Sequence, residues 1–419
     1  MKTLEQTIHA FVRRDFRHQF GQPGITVKDD PEWQKLKATG TRLWLDTGDI
    51  DEATKLWNSS FDALTTNNTL LNKEIQKGIY DKLAVEAAHT VRDANPGNDE
   101  KKLILEIAFI LNAHHALRLV DRFDANVSVE LHTDLSHDVE RTVYYGKRYF
   151  AICPERFIVK VPLTPAGYLG ARQLVQAGIP INFTLGFSAR HNYAAALLTE
   201  PKFCNVFMGR LNSFVADSHF GSGENVGEKA TLATQRELLA LRKAGRSETN
   251  LIGASIRTGA QIGDLAGVDV LTMPTKAAAE YRAKPLAQVT SRVANDPFVP
   301  LNVGVSMSQF AGDTLWAVTP QFKDAMESLL KRAEALTPDG VQTHFESAGI
   351  RDFLPRWSEV DVRTATKDGK IPVYATWKSR LGSGEIGLDA LMNLSALQSF
   401  VTDQAALDDR IRSVVKDSG

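Results

Sequence analysis

Two cysteines in 419 residues, Cys153 and Cys204, are too few and too far apart to form a disulfide framework. Their spacing suits no metal motif, and a reducing cytoplasmic setting is the expectation. An excess of either charge is also lacking: 49 basic side chains face 50 acidic ones, a formal net charge of −1. With no global field, neither nucleic acid nor an anionic membrane is an expected partner, so any anion site must be local. No uninterrupted apolar run reaches about 18 residues, which argues against a spanning helix. The N-terminus has no apolar core of a signal peptide, and Glu5 and Asp15 argue against a transit peptide. The ten histidines show no ligand spacing; His114 and His115 are adjacent and so face different ways, and no metal is expected. Internal repeats, low-complexity tracts and a Gly-rich first turn are absent too, and the last of these disfavours a doubly wound dinucleotide sheet.

What is present is an ordinary globular composition, 43% hydrophobic and 24% charged, with eight short apolar, β-branched runs spaced by helical patterns. The runs are Arg42 to Gly48, Asp62 to Thr69 with a polar cluster at its end, Val127 to Thr133, Phe157 to Gly167, Ile181 to Gly186, Phe203 to Arg210, Asn250 to Arg257 and Val268 to Pro274. Strands alternating with helices predict a parallel sheet with right-handed crossovers, and eight of them predict a (β/α)8 TIM barrel over 41–290. An N-terminal helical extension over 1–40, a mostly helical addition over 291–395 and a closing helix over 396–419 complete the expected organisation. Periodicity predicts helices over 2–20, 72–91, 101–122, 168–177, 231–243 and 320–336, a turn at 337–340 and a strand at 373–377. Asp49, Asp51 and Glu52 lack the order of a calcium loop and read as a helix cap. Gly221 to Gly227 lacks the ending of a phosphate loop and reads as a surface loop.

The strands carry more ionisable and polar groups than an apolar interior explains. Lys160 sits inside Phe157-Ile158-Val159-Lys160-Val161-Pro162. A lysine there either snorkels to the strand end or is a desolvated amine fit to attack a carbonyl. Asp46, Asn67, Glu130, Asn182, Thr184, Asn205, Ser255 and Arg257 lie in or at the ends of other strands, where barrel active sites are built. A neutral lysine, two carboxylates and a hydroxyl suit imine chemistry on a carbonyl. Arg210 and Arg257, with Ser255, offer forked donors for a phosphate, against the plainer reading of surface salt bridges.

In combination these motifs resemble the transaldolase family of class I aldolases. Leu45-Asp46-Thr47-Gly48-Asp49 is similar to the family's first-strand motif, Thr65-Thr66-Asn67 to its Thr-Thr-Asn-Pro-Ser, and Val127-Ser128-Val129-Glu130 to its glutamate strand. Asn182-Phe183-Thr184-Leu185, Phe207-Met208-Gly209-Arg210 and Gly253 to Arg257 resemble the strands that follow, and Ser399 to Arg412 the closing helix. The resemblance implies a barrel with a Schiff-base lysine, Lys160, served by Glu130 and Thr184 through a water, with Asp46 acting on a substrate hydroxyl. It implies sugar-phosphate substrates bound by Asn67, Asn182, Asn205, Phe207, Arg210, Ser255 and Arg257, and no cofactor. Three positions depart or discriminate: Asn68 stands where the motif has proline, Asn205 where serine is common, and Phe207 where fructose-6-phosphate aldolases carry tyrosine. Glu130, in place of glutamine, favours transaldolase over simple aldolase behaviour. The alternatives are a fructose-6-phosphate-type aldolase or an enzyme for an unusual ketose, and, from another class, an idle barrel that only binds a sugar phosphate. A homo-oligomer is left open.

Overall fold

The computed structural model describes residues 3–416. Eight strands form one closed parallel barrel in chain order: β1 (Arg42–Asp46), β2 (Phe61–Thr65), β3 (Asn126–Glu130), β4 (Phe157–Pro162), β5 (Ile181–Thr184), β6 (Phe203–Phe207), β7 (Asn250–Ala254) and β8 (Val270–Met273). β1 closes the ring on β8, with Leu43 opposite Leu271 and Leu45 opposite Met273. Because successive side chains alternate, residues of one parity line the interior. Trp44 and Phe203 meet there at 4.8 Å between ring centroids, below the polar residues of the upper layers.

Contrary to the expectation from uninterrupted apolar runs, the helix Glu100–Phe123, whose apolar stretch is broken by a few charged and polar residues, is long and apolar enough to cross a membrane by length and composition. Its most apolar stretch is 89% buried inside the protein, so that apolarity serves the core. The pattern over 72–91 divides into two helices, Asn68–Gln76 and Asp81–Ala94, broken where Gly78 takes φ +76. The helix after β4 starts at Pro165 rather than 168, because Thr164 Oγ1 accepts from Gly167 N at 2.8 Å and proline suits the first helical position. The helix expected over 231–243 begins at Val226. Asp49 does cap the helix Ile50–Leu56, accepting from Asp51 N and Glu52 N.

The N-terminal helix is shorter than its pattern, Leu4–Val12. Beyond it the chain is held by tertiary contacts, His18 Nε2 to Asp124 at 2.9 Å and Phe20 under Arg156. In the C-terminal addition, Thr337 caps a helix, Pro338–Ser347, so the Pro-Asp-Gly sequence opens a helix where a turn was expected. The expected strand over 373–377 is the start of a helix, Tyr374–Gly382: Trp377 and Leu381, four apart, are both buried, and Trp377 Nε1 donates to Asp368 at 2.8 Å. Five residues of alternating pattern fit either period, and packing decides.

The closing helix is Leu388–Lys416, eight residues longer at its start than expected, and it crosses the mouth formed by the strands' C-terminal ends. Asn393 Nδ2 donates to Leu163 O (3.0 Å) and Leu185 O (2.8 Å), just past β4 and β5. His132 after β3 meets Asp408 at 3.2 Å, and Thr69 after β2 bonds Asp403. Its first turn is pinned by Asp389, fully buried, whose carboxylate takes two 2.7 Å bonds from Arg190 and one of 2.7 Å from Ser188.

Candidate active site

A cavity of about 220 Å³ opens at the C-terminal end of the barrel, the end where barrel enzymes carry their chemistry. Its wall includes Asp46, Asn67, Lys160, Asn182, Asn205, Phe207, Arg210, Ser255 and Arg257, nine of the eleven residues singled out from sequence. Glu130 and Thr184 lie buried beside it. A larger cavity, about 430 Å³, lies between the Leu163–Ala166 loop and the addition, but none of the eleven lines it.

Strand register sets the centre of the site. Glu130 on β3 is opposite Lys160 on β4, which is opposite Asn182 on β5, so three neighbouring strands present polar groups at one height. Lys160 is 3% exposed, which excludes snorkelling. Its Nζ donates to Thr66 O at 3.1 Å and stands 3.5 Å from Glu130 Oε2, an ion-pair distance too long for a good hydrogen bond. Glu130 Oε2, Asn182 Oδ1 and Thr184 Oγ1 are buried atoms with no hydrogen-bond partner among the described residues. Buried polar groups are normally satisfied, so this cluster beside an amine suits a polar ligand. The Asn182 amide itself donates to Ser128 Oγ at 2.9 Å, which fixes its orientation.

Burial raises the Glu130 carboxyl above its ordinary range, against the opposing pull of Lys160 and of the nearby Asn68 backbone N–H. That N–H is what the departure at position 68 supplies, since proline has none. Asn68 is the first residue of its helix, and Asn67 is the cap: Asn67 Oδ1 accepts from Leu70 N at 2.8 Å, leaving its amide NH2 to serve the cavity it lines. Asp46 ends β1 and is half-buried. Desolvation raises its carboxyl, opposed by Lys160 and by the Thr65 hydroxyl, which donates at 2.9 Å. Thr65 also meets Thr272 Oγ1 at 2.6 Å, so β1, β2 and β8 share one hydrogen-bonded chain.

The opposite wall is cationic. Arg210, 7% exposed, is pushed down to about 10 by burial and by Arg257, and it stays charged at neutral pH. Gly209 brings the two arginines together: a Cβ there would lie 2.1 Å from Ser255 O and 2.8 Å from Arg257 Nε. Ser255 has φ +61, a left-handed conformation costly for a non-glycine residue, and it turns the chain sharply after β7. The Arg257 N–H is held by Gln261 Oε1 at 2.7 Å. Phe207 and Phe400 of the closing helix flank Arg210, whose guanidinium carbon is 5.9 and 5.6 Å from their ring centroids. Asn205 is buried and accepts from Gly186 N at 3.3 Å.

Sequence reasoning missed several wall residues. Thr65 and Thr272 read as plain strand threonines, although an inward threonine beside a carboxylate was a usable signal. Lys73 and Lys370 also line the cavity. Lys370 belongs to the addition, and nothing in its local sequence ties it to the barrel.

A buried amine paired with a carboxylate in a closed eight-stranded barrel, facing a pair of arginines, has the chemistry to act on a carbonyl compound bearing an anion. The comparisons agree. Residues 43–360 match the model of the transaldolase/fructose-6-phosphate aldolase family, and the chain belongs to that family. A transaldolase of Xanthomonas campestris pv. campestris is 30% identical over 306 residues, 70% of this chain and 91% of that protein. A transaldolase of Protochlamydia amoebophila is 30% identical over 243 residues, 56% of this chain and 72% of that one. A probable transaldolase of Dictyostelium discoideum is 26% identical over 279 residues, 64% and 85% of the two chains. The protein is thus an enzyme, of the transferase class.

Proposed function

We propose that the enzyme is a transaldolase that moves a dihydroxyacetone unit from a ketose phosphate to an aldose phosphate through a Schiff base on Lys160. The observation that carries this reading is the enclosed Lys160 Nζ, 3.5 Å from Glu130 Oε2, with Asp46 and the Arg210–Arg257 pair on the wall of the same cavity. Lys160 gives a proton to Glu130 and adds to the ketone carbon. Glu130, with Thr184, returns a proton to the carbinolamine hydroxyl, which leaves as water and yields the imine. Asp46 takes the C4 hydroxyl proton as the C3–C4 bond breaks, and that electron pair moves into the iminium to give an enamine. The aldose phosphate departs, the enamine adds to an acceptor aldehyde with the proton returned by Asp46, and hydrolysis frees the product. Two carboxyl groups raised above their ordinary range suit this two-way proton traffic. Arg210, Ser255 and Arg257 hold the phosphate, while Asn67, Asn182 and Asn205 hold the three-carbon unit against Phe207.

Borohydride reduction in the presence of fructose 6-phosphate, followed by peptide mass spectrometry, tests the reading. The expected result is a dihydroxyacetone adduct on Lys160, lost in Lys160→Met. Failure of the wild-type protein to trap would overturn the Schiff-base reading, and equal turnover with and without an acceptor aldehyde would point to an aldolase instead.

A further inference from the structure

The cations around the cavity do not all come from the barrel. Arg210 and Arg257 follow β6 and β7, whereas Lys370 sits on the link between the helices Glu359–Asp368 and Tyr374–Gly382. It lies past residue 360, where the family match ends. The link is docked onto the site by its own backbone, for Arg210 Nη1 donates to Lys370 O at 3.3 Å. Its far end is fixed by Asp368, whose Oδ2 accepts from Val373 N (3.0 Å) and Trp377 Nε1 (2.8 Å). Some cations of the addition have acidic partners, Arg363 with Glu359 and Arg380 with Asp361 and Glu385, whereas Lys370, like the exposed Lys367, has none among the described residues; what sets Lys370 apart is its place on the cavity wall. Lys370 is exposed, and among the described residues no carboxylate lies within ion-pair distance of it.

We propose that Lys370 is a phosphate-binding residue of this active site, a third cation beside Arg210 and Arg257, through which the addition sets the preference for phosphorylated over neutral acceptors. A phosphate monoester presents three acceptor oxygens, and two guanidinium forks leave room for a point-charge ammonium at the rim. The proposal rests on the reading above for the acceptor's identity, and on the anion site alone for phosphate itself.

The test compares wild type with Lys370→Ala, Lys370→Arg and Lys367→Ala, the last an exposed lysine of the same addition that does not line the cavity. Calorimetry reads the Kd for inorganic phosphate, and steady-state kinetics reads KM and kcat with glyceraldehyde 3-phosphate and with glyceraldehyde as acceptors. In Lys370→Ala the phosphate Kd and the phosphorylated acceptor's KM should rise about tenfold or more, as for loss of one charge-assisted hydrogen bond. The values of kcat and of KM for glyceraldehyde should stay within about twofold. Lys370→Arg should restore most of the affinity, and Lys367→Ala should match wild type. An unchanged phosphate Kd in Lys370→Ala would overturn the proposal, as would equal KM changes for the two acceptors, which would mark a structural role. If wild type neither traps nor transfers while Lys370→Ala still weakens phosphate binding, the transaldolase reading fails and the anion site stands.

Discussion

Asn68→Pro is the substitution with the sharpest expected signature. Its side chain loses little, since Asn68 Nδ2 reaches Leu131 O only at 3.5 Å. The helix should tolerate it, because the first helical residue has no intrahelical use for its N–H and proline's fixed φ suits that place. What disappears is the Asn68 N–H, whose dipole favours the ionised Glu130 carboxylate. Short of a full charge-assisted hydrogen bond, such a contact is worth at most about 1.5 kcal/mol, and one pKa unit is about 1.4 kcal/mol, so the expected shift is up to about one unit. The sign follows from the charge state served. The N–H favours ionised Glu130, its loss raises a carboxyl that burial already holds high, and the acid limb of kcat/KM for the ketose donor moves to higher pH. Stability follows the same sign: a carboxyl raised in the folded state weakens the fold as pH climbs from its unfolded to its folded pKa, and the substitution widens that window. Asn68→Ala keeps the N–H and should leave the limb in place. A proline variant with native circular dichroism and an unmoved limb would refute the reasoning, as would an alanine variant that shifts equally.

Asp389→Ala leaves Arg190 short of its bidentate partner in the core and should cost about 3–5 kcal/mol in urea unfolding. Although burial acts to raise it, Arg190, His191 and Ser188 hold the Asp389 carboxyl below its ordinary range. Its contribution is therefore present above about pH 4 and fades as pH falls further, which melts of wild type and variant across pH 3 to 7 should show by converging at the acid end. Gly209→Ala forces the Ser255–Arg257 loop away from Arg210, so KM for phosphorylated substrates should rise about tenfold while Lys160 still traps; an unchanged KM would disprove the close-approach argument.

The barrel was legible because each of its strands is a short apolar run with polar residues at one end, a pattern that burial on both faces demands. Lys160 was ambiguous on its own strand and became interpretable only against Glu130 and Asn182, whose register sets them side by side. Errors gathered where tertiary contacts override local pattern. Arg156 and Asp124 hold residues 16–20 out of a helix, and burial of Trp377 turns a five-residue alternation helical. Lys370 escaped because its role depends on a fold-back of more than 100 residues from the strands it meets. The proline-to-asparagine departure was visible in the sequence, yet its meaning lay in a backbone N–H that no side-chain comparison displays.

The helix Leu388–Lys416 is translated after every strand of the barrel, and it supplies Phe400 to the cavity wall and Asn393 to the loops after β4 and β5. A nascent chain that has already closed its eight strands therefore still has an unfinished catalytic mouth. The order of synthesis thus makes the mouth the last part of the site to form, and pairing of Arg190 with Asp389 ties the first turn of that helix to a barrel already in place.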